Sequence, residues 1–134
     1  MRLHGIIGIS LLALLSLGSN CRLDLSPTRS VNFLVAPGQT VRAQDLRVQF
    51  LEVVSDTRCP ANVTCVSAGD AVVAFELRID SASSEVELHV VDPGKRSALF
   101  QGYIVELTAL APYPIAGQTI DPDDYRATVN IRRD

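Results

Sequence analysis

The chain has 134 residues, 12 basic and 15 acidic, a formal charge of −3 and 47% apolar residues. That is enough for one folded domain and too little for two. An acidic balance with no basic cluster excludes nucleic acid as an expected partner, and seven aromatics without a tryptophan argue against a stacking platform for single strands or sugars.

Residues 1–20 read as a secretory signal peptide: Arg2 is a short positive region, and the apolar run from Gly5 to Gly18 ends in small residues. The run is 14 residues long, shorter than the roughly 20 that a membrane-crossing helix needs. A cysteine follows at position 21, in the place where the lipobox of bacterial lipoproteins carries its lipidated thiol. Gly18 and Asn20 depart from that pattern, which takes an aliphatic residue three before the cysteine and Gly or Ala just before it. Ordinary cleavage after Gly18 competes, because Ser16 and Gly18 are small residues at the specificity positions. Lipidation of Cys21 predicts anchoring at the cell membrane or outer membrane, and ordinary cleavage predicts a soluble secreted or periplasmic protein. Three cysteines leave one unpaired in an oxidising compartment, and a thioether at Cys21 would account for it, leaving Cys59 and Cys65 to form a disulfide.

Residues 21–30 are polar, contain Pro27 and have no sustained period, so they read as a tether ahead of a single domain over 31–134. From there apolar side chains recur at every second position. Leu46, Val48 and Phe50 form one such set; Val73, Phe75, Leu77 and Ile79 form another. Val86, Leu88 and Val90 continue the pattern, followed by Tyr103, Val105 and Leu107, and finally Tyr125, Ala127, Val129 and Ile131. Turn signals at Pro37-Gly38, at Asp80 to Ser84, at Pro93-Gly94-Lys95 and at Gly117-Gln118 divide the runs. About seven short strands, with no long helical period after residue 20, predict an all-β fold. A small antiparallel β-sandwich is expected, with a small barrel as the alternative. Alternation breaks at Leu51 to Val54, which predicts either a bulge or the end of a strand just ahead of the cysteine loop.

Cys59 and Cys65 enclose Pro60-Ala61-Asn62-Val63-Thr64, a spacing too long for a CxxC redox site. A zinc site needs three or four ligands, and His89 is the one histidine after residue 20, so neither a metal nor any other cofactor is expected. A disulfide-closed loop remains. Pro60 fixes one φ, and Asp56 is placed to accept from the Arg58 backbone in an Asx turn, which predicts a rigid tip. Such a loop is either a staple on a long connection or a preorganised recognition loop. In the second case Asp56, Arg58, Asn62 and Asp70 are the residues expected to meet a partner.

Asp56, Arg58, Cys59, Pro60, Val63, Cys65, Ala68, Gly69 and Ala71 together resemble a family of small bacterial secreted or lipoprotein-type proteins. That family carries an Asp-Ser/Thr-Arg-Cys-Pro…Val-x-Cys…Ala-Gly-x-Ala signature, and looser matches extend to Gly38-Gln39, to Leu110 through Pro114 and to Ile120 through Tyr125. Ser67 stands where the signature has tryptophan. The resemblance implies a bacterial envelope protein with a β-rich fold and brings no established activity.

Other residues read more plainly. His89 is the one imidazole after residue 20, the side-chain type best suited to general base chemistry, but it alternates outward between Leu88 and Val90 and is expected on a solvated strand face. Asp121, Asp123 and Asp124 lack the spacing of an EF-hand and read as a turn shaped by Pro122. Asn62-Val63-Thr64 is a formal glycosylation sequon, coincidental in a chain with a bacterial signal. Tyr103 and Tyr125 fall on inward strand positions and read as core. The expected function is a non-enzymatic cell-envelope module with a lipid anchor at Cys21 and either a binding or a structural role; a binding role would take a protein or envelope component as partner. The alternative is a small extracytoplasmic hydrolase or metal-dependent enzyme using His89 with nearby carboxylates.

Overall fold

Alternating apolar residues build eight strands in the computed structural model, which describes residues 29–134. The expected signal peptide, Cys21 and most of the tether lie outside the described residues. The strands are β1 (Val31–Val35), β2 (Thr40–Ala43), β3 (Leu46–Asp56), β4 (Ala71–Ile79), β5 (Ala82–His89), β6 (Ser97–Phe100), β7 (Tyr103–Ala111) and β8 (Arg126–Arg133). They pair into two four-stranded antiparallel sheets, ordered β1-β8-β7-β6 and β2-β3-β4-β5. The chain changes sheet between β1 and β2 and again between β5 and β6, so β1, β6, β2 and β5 are edges. The sheets remain open, which gives the sandwich and sets aside the barrel.

Side chains that alternate inward meet between the sheets. Leu46, Val48 and Phe50 of β3 and Val73, Phe75 and Leu77 of β4 face Tyr103, Val105 and Leu107 of β7 and Ala127, Val129 and Ile131 of β8. The Phe50 and Phe75 rings lie 5.5 Å apart at 57°, a tilted pairing that aromatic quadrupoles favour. Each large apolar side chain buried this way contributes about 1.5–3 kcal/mol before conformational entropy is subtracted.

Two register shifts interrupt the β3–β4 ladder, between Phe50 and Glu52 and between Val53 and Ser55. The expected bulge is therefore a double irregularity, and it bends the end of β3 toward the loop that follows. The serine cluster differs from expectation. Only Asp80-Ser81 forms the turn between β4 and β5, with Asp80 at φ 49°, whereas Ala82, Ser83 and Ser84 pair with Ile79, Arg78 and Leu77. Strand pairing overrides the weak β preference of serine once the tight turn is made. Pro93–Lys95 and Pro122–Asp124 are single 3-10 turns, capped by the side chains of Asp92 and Asp121. Asp121, Asp123 and Asp124 thus form the exposed turn expected of them.

Candidate functional site

The cysteine loop joins β3 to β4 at one end of the sandwich, and its base is closed by the two residues that flank it. Thr57 donates from its backbone to the Asp70 carbonyl at 2.7 Å, and the Thr57 hydroxyl accepts from the Asp70 N–H at 3.1 Å. One step in, Cys59 N–H donates to the Ala68 carbonyl at 2.9 Å. Cys59 and Cys65 are disulfide-bonded, with Cα atoms 5.9 Å apart. Such a bond suits an oxidising, extracytoplasmic compartment. Gly69 adopts φ +65°, and a Cβ there would lie 1.7 Å from the Thr57 carbonyl oxygen. Only glycine allows that close passage of the two loop arms.

Arg58 is buried, 4% exposed, and fastens the loop to the opposite sheet. Its Nε and Nη2 donate to Asp56 Oδ1 and Oδ2 at 2.8 and 2.7 Å. Nη1 donates to the Leu110 carbonyl at 2.7 Å and Nη2 to the Pro112 carbonyl at 3.0 Å. Tyr113 covers the guanidinium, with its ring centre 5.1 Å away. The Tyr125 hydroxyl donates to Asp56 Oδ2 at 3.0 Å, and the Arg58 backbone N–H reaches Asp56 Oδ1 at 3.4 Å, the expected Asx contact. Burial alone would push the Asp56 carboxyl up, but the Arg58 hydrogen bonds and charge, with the Tyr125 hydroxyl, hold it below the usual carboxylate range. The same arrangement pushes the Tyr125 hydroxyl up, through burial first and then the adjacent carboxylate.

At the other arm, Asp70 Oδ1 accepts from the N–H groups of Ala71 and Val91 at 2.7 and 2.8 Å, and Oδ2 lies 2.8 Å from His89 Nδ1. Burial works against ionisation here too and is outweighed by Val91, His89 and Ala71, so the carboxyl lies below its ordinary value. His89 is thus half-buried and paired, where a freely solvated position was expected. Among the described residues no Ser, Thr or Cys side chain hydrogen-bonds its ring.

These contacts correct the set of residues read as partner-facing. Asp56, Arg58 and Asp70 are turned into the base of the loop, where their polar atoms are used by the protein itself. Asn62 does stand on the exposed tip, with its Oδ1 accepting from the Ala116 N–H at 2.8 Å, and Ala61 N–H donates to the Pro114 carbonyl at 3.0 Å. The tip therefore rests on the segment that follows β7. Together they expose Val63, Val66, Tyr113 and Ile115. Val63 and Tyr113 enter the sequence reading only as members of motifs, and Val66 and Ile115 not at all, because isolated apolar residues in loops have no period to mark them as an exposed group. Among the described residues, no three His, Cys, Asp or Glu side chains converge as metal ligands would, and no helix is long and apolar enough to cross a membrane.

The fold and its end loop define a small antiparallel β-sandwich with one disulfide-closed, internally clamped connection. The chain matches no protein-family model, no curated protein and no solved structure.

Proposed function

We propose that the protein is a non-enzymatic module of the cell envelope, lipid-anchored through Cys21, whose cysteine loop meets a protein or another envelope component. The observation that carries this reading is the buried Arg58 clamp. It ties the loop to Leu110 and Pro112 and so holds the exposed residues 61–68 in one conformation. A loop fixed before binding loses little entropy on meeting a partner. The topology supports the same reading. Arg29 leads into the start of β1, at the end of the sandwich where β2 runs into β3, and the loop sits at the far end of β3. β3 has 11 residues, so the two ends are separated by roughly 33 Å. A tether at one end would leave the loop facing outward. The resemblance of the Asp56 to Ala71 signature to bacterial lipoprotein-type proteins points the same way.

Two measurements test the two halves of the proposal. Intact mass of the protein from its native membrane fraction should show a chain beginning at an acylated Cys21; a soluble chain beginning at Ser19 would refute the anchor. Photo-crosslinking groups placed at Val66 and at Leu99, which is exposed on edge strand β6, should give a specific adduct in intact cells at Val66 alone. Identical adducts at both positions, or none at either, would refute the recognition loop.

A further inference from the structure

A second feature lies at the end of the sandwich remote from the cysteine loop. Arg29, Arg42, Arg132 and Arg133 surround a cleft of about 310 Å³, set where β1 begins, β2 ends and β8 finishes. β1 and β2 are edge strands of the two facing sheets, and among the described residues no strand pairs with the outer side of either. The floor is apolar, formed by Val31, Phe33, Ile131 and Tyr103. Four of the 12 basic side chains of a net acidic protein therefore gather at one opening.

Two of the four are neutralised and fixed. Arg132 pairs with Glu106 at 3.0 Å. Arg133 reaches Asp45 at 3.6 Å and Gln44 at 3.2 Å, and its guanidinium lies 4.0 Å from the centre of the Tyr103 ring. The Tyr103 hydroxyl in turn donates to Asp45. Among the described residues, Arg29 and Arg42 have no carboxylate partner. Beside the apolar floor the described residues supply neither with a countercharge, and a guanidinium fork matches a carboxylate or phosphate in shape as well as charge. The volume falls at the lower end of small-molecule sites.

We propose that this cleft binds a single-chain amphiphilic anion: a carboxylate or phosphate head held by Arg29 and Arg42, with its alkyl body on Val31, Phe33 and Ile131. The proposal stands independently of acylation at Cys21 and of any partner for the cysteine loop.

Titration with decyl phosphate below its micelle concentration, followed by calorimetry and by backbone amide shifts, tests it. One-to-one saturable binding is expected, with shifts concentrated at residues 42–44 and 131–133. Arg42→Gln, on an exposed edge-strand position, and Arg29→Gln should each weaken binding about tenfold, the loss of one charge-assisted hydrogen bond, and decanol should bind weaker by at least that factor. Equal affinity for decanol, shifts scattered over the sandwich, or variants that bind like the parent would overturn it. Adsorption to phosphatidylglycerol vesicles without saturable binding of decyl phosphate would also overturn it, because the arginines would then be a surface charge patch and the cleft would hold no ligand.

Discussion

Arg58 grips Asp56 through two parallel hydrogen bonds of 2.8 and 2.7 Å, two residues apart in sequence and both withdrawn from solvent. A bidentate pair at this spacing makes the end of β3 into a hook, and two of the three remaining N–H groups of the guanidinium catch the carbonyls of Leu110 and Pro112 at the end of β7. Removing the arginine side chain would leave a buried carboxylate with only the Tyr125 hydroxyl and the long contact from the residue-58 backbone N–H, and would take a donor from two carbonyls. Arg58→Met should therefore destabilise the fold by about 3–5 kcal/mol, a loss of on the order of 15 °C in melting temperature. The double variant with Asp56→Ala should cost less than the sum of the singles. Additive losses in denaturant titrations would show that the two residues act separately.

The disulfide makes a different contribution. Crosslinking so short a loop is worth about 2.4 kcal/mol in the chain-entropy picture. Because Arg58 and the Thr57–Asp70 closure hold the same loop, replacing Cys59 and Cys65 together by serine should lower the denaturation midpoint by that order and leave the fold intact. An unchanged slope of the denaturant transition with a reduced midpoint is the expected result. Loss of all cooperative unfolding would mean that the staple, and not the arginine, organises this end.

Gly38 and Gly69 offer a controlled comparison. Both have positive φ, +80° and +65°, but a Cβ at Gly38 would meet nothing within 4 Å, whereas at Gly69 it would collide with the Thr57 carbonyl. Gly38→Ala should cost about 1–2 kcal/mol, the ordinary left-handed penalty. Gly69→Ala should cost clearly more, because the two loop arms must also separate. Equal losses in parallel thermal melts would contradict the close approach seen here.

These contacts also show where the sequence was informative. Inward alternation at Leu46, Val48 and Phe50, or at Tyr125, Ala127, Val129 and Ile131, covers enough positions to reveal both strand and buried face. β1, β2 and β6 escape the alternation pattern, since edge strands of four or five residues provide only two or three positions per face. Arg58 reads as exposed because its local sequence is a polar loop. Its partners Leu110 and Pro112 lie more than 50 residues away, and no local period encodes such a meeting. The cleft of four arginines is hidden for the same reason: Arg29, Arg42 and Arg132-Arg133 come from three distant parts of the chain.

Stability should fall at both extremes of pH. Asp56 and Asp70 ionise more readily in the fold than in the unfolded chain, so the stability they contribute is present above the unfolded carboxylate value of about 3.9. It is lost as pH falls through their lower folded values. Tyr103 and Tyr125 are shifted upward, chiefly by burial, so their contribution is present below about pH 10 and disappears as pH rises through the raised values. Denaturant titrations from pH 2 to 5 should show a decline that Asp56→Asn makes shallower. An identical slope in that variant would remove Asp56 from the acid transition.

His89 separates the binding reading from an enzymatic one. Its ring contributes one of three hydrogen bonds that hold the Asp70 carboxylate, the other two coming from the N–H groups of Ala71 and Val91. The pair is partly exposed, which keeps its contribution in the range of about 0–1 kcal/mol. His89→Gln should therefore leave the melting temperature within a few degrees and leave the Val66 crosslink unchanged. A general base could not be replaced by an amide without abolishing turnover. If the parent hydrolyses a generic ester or phosphoester substrate and His89→Gln is inactive while fully folded, the non-enzymatic assignment is wrong, and the Asp70–His89 pair becomes the place to look for chemistry.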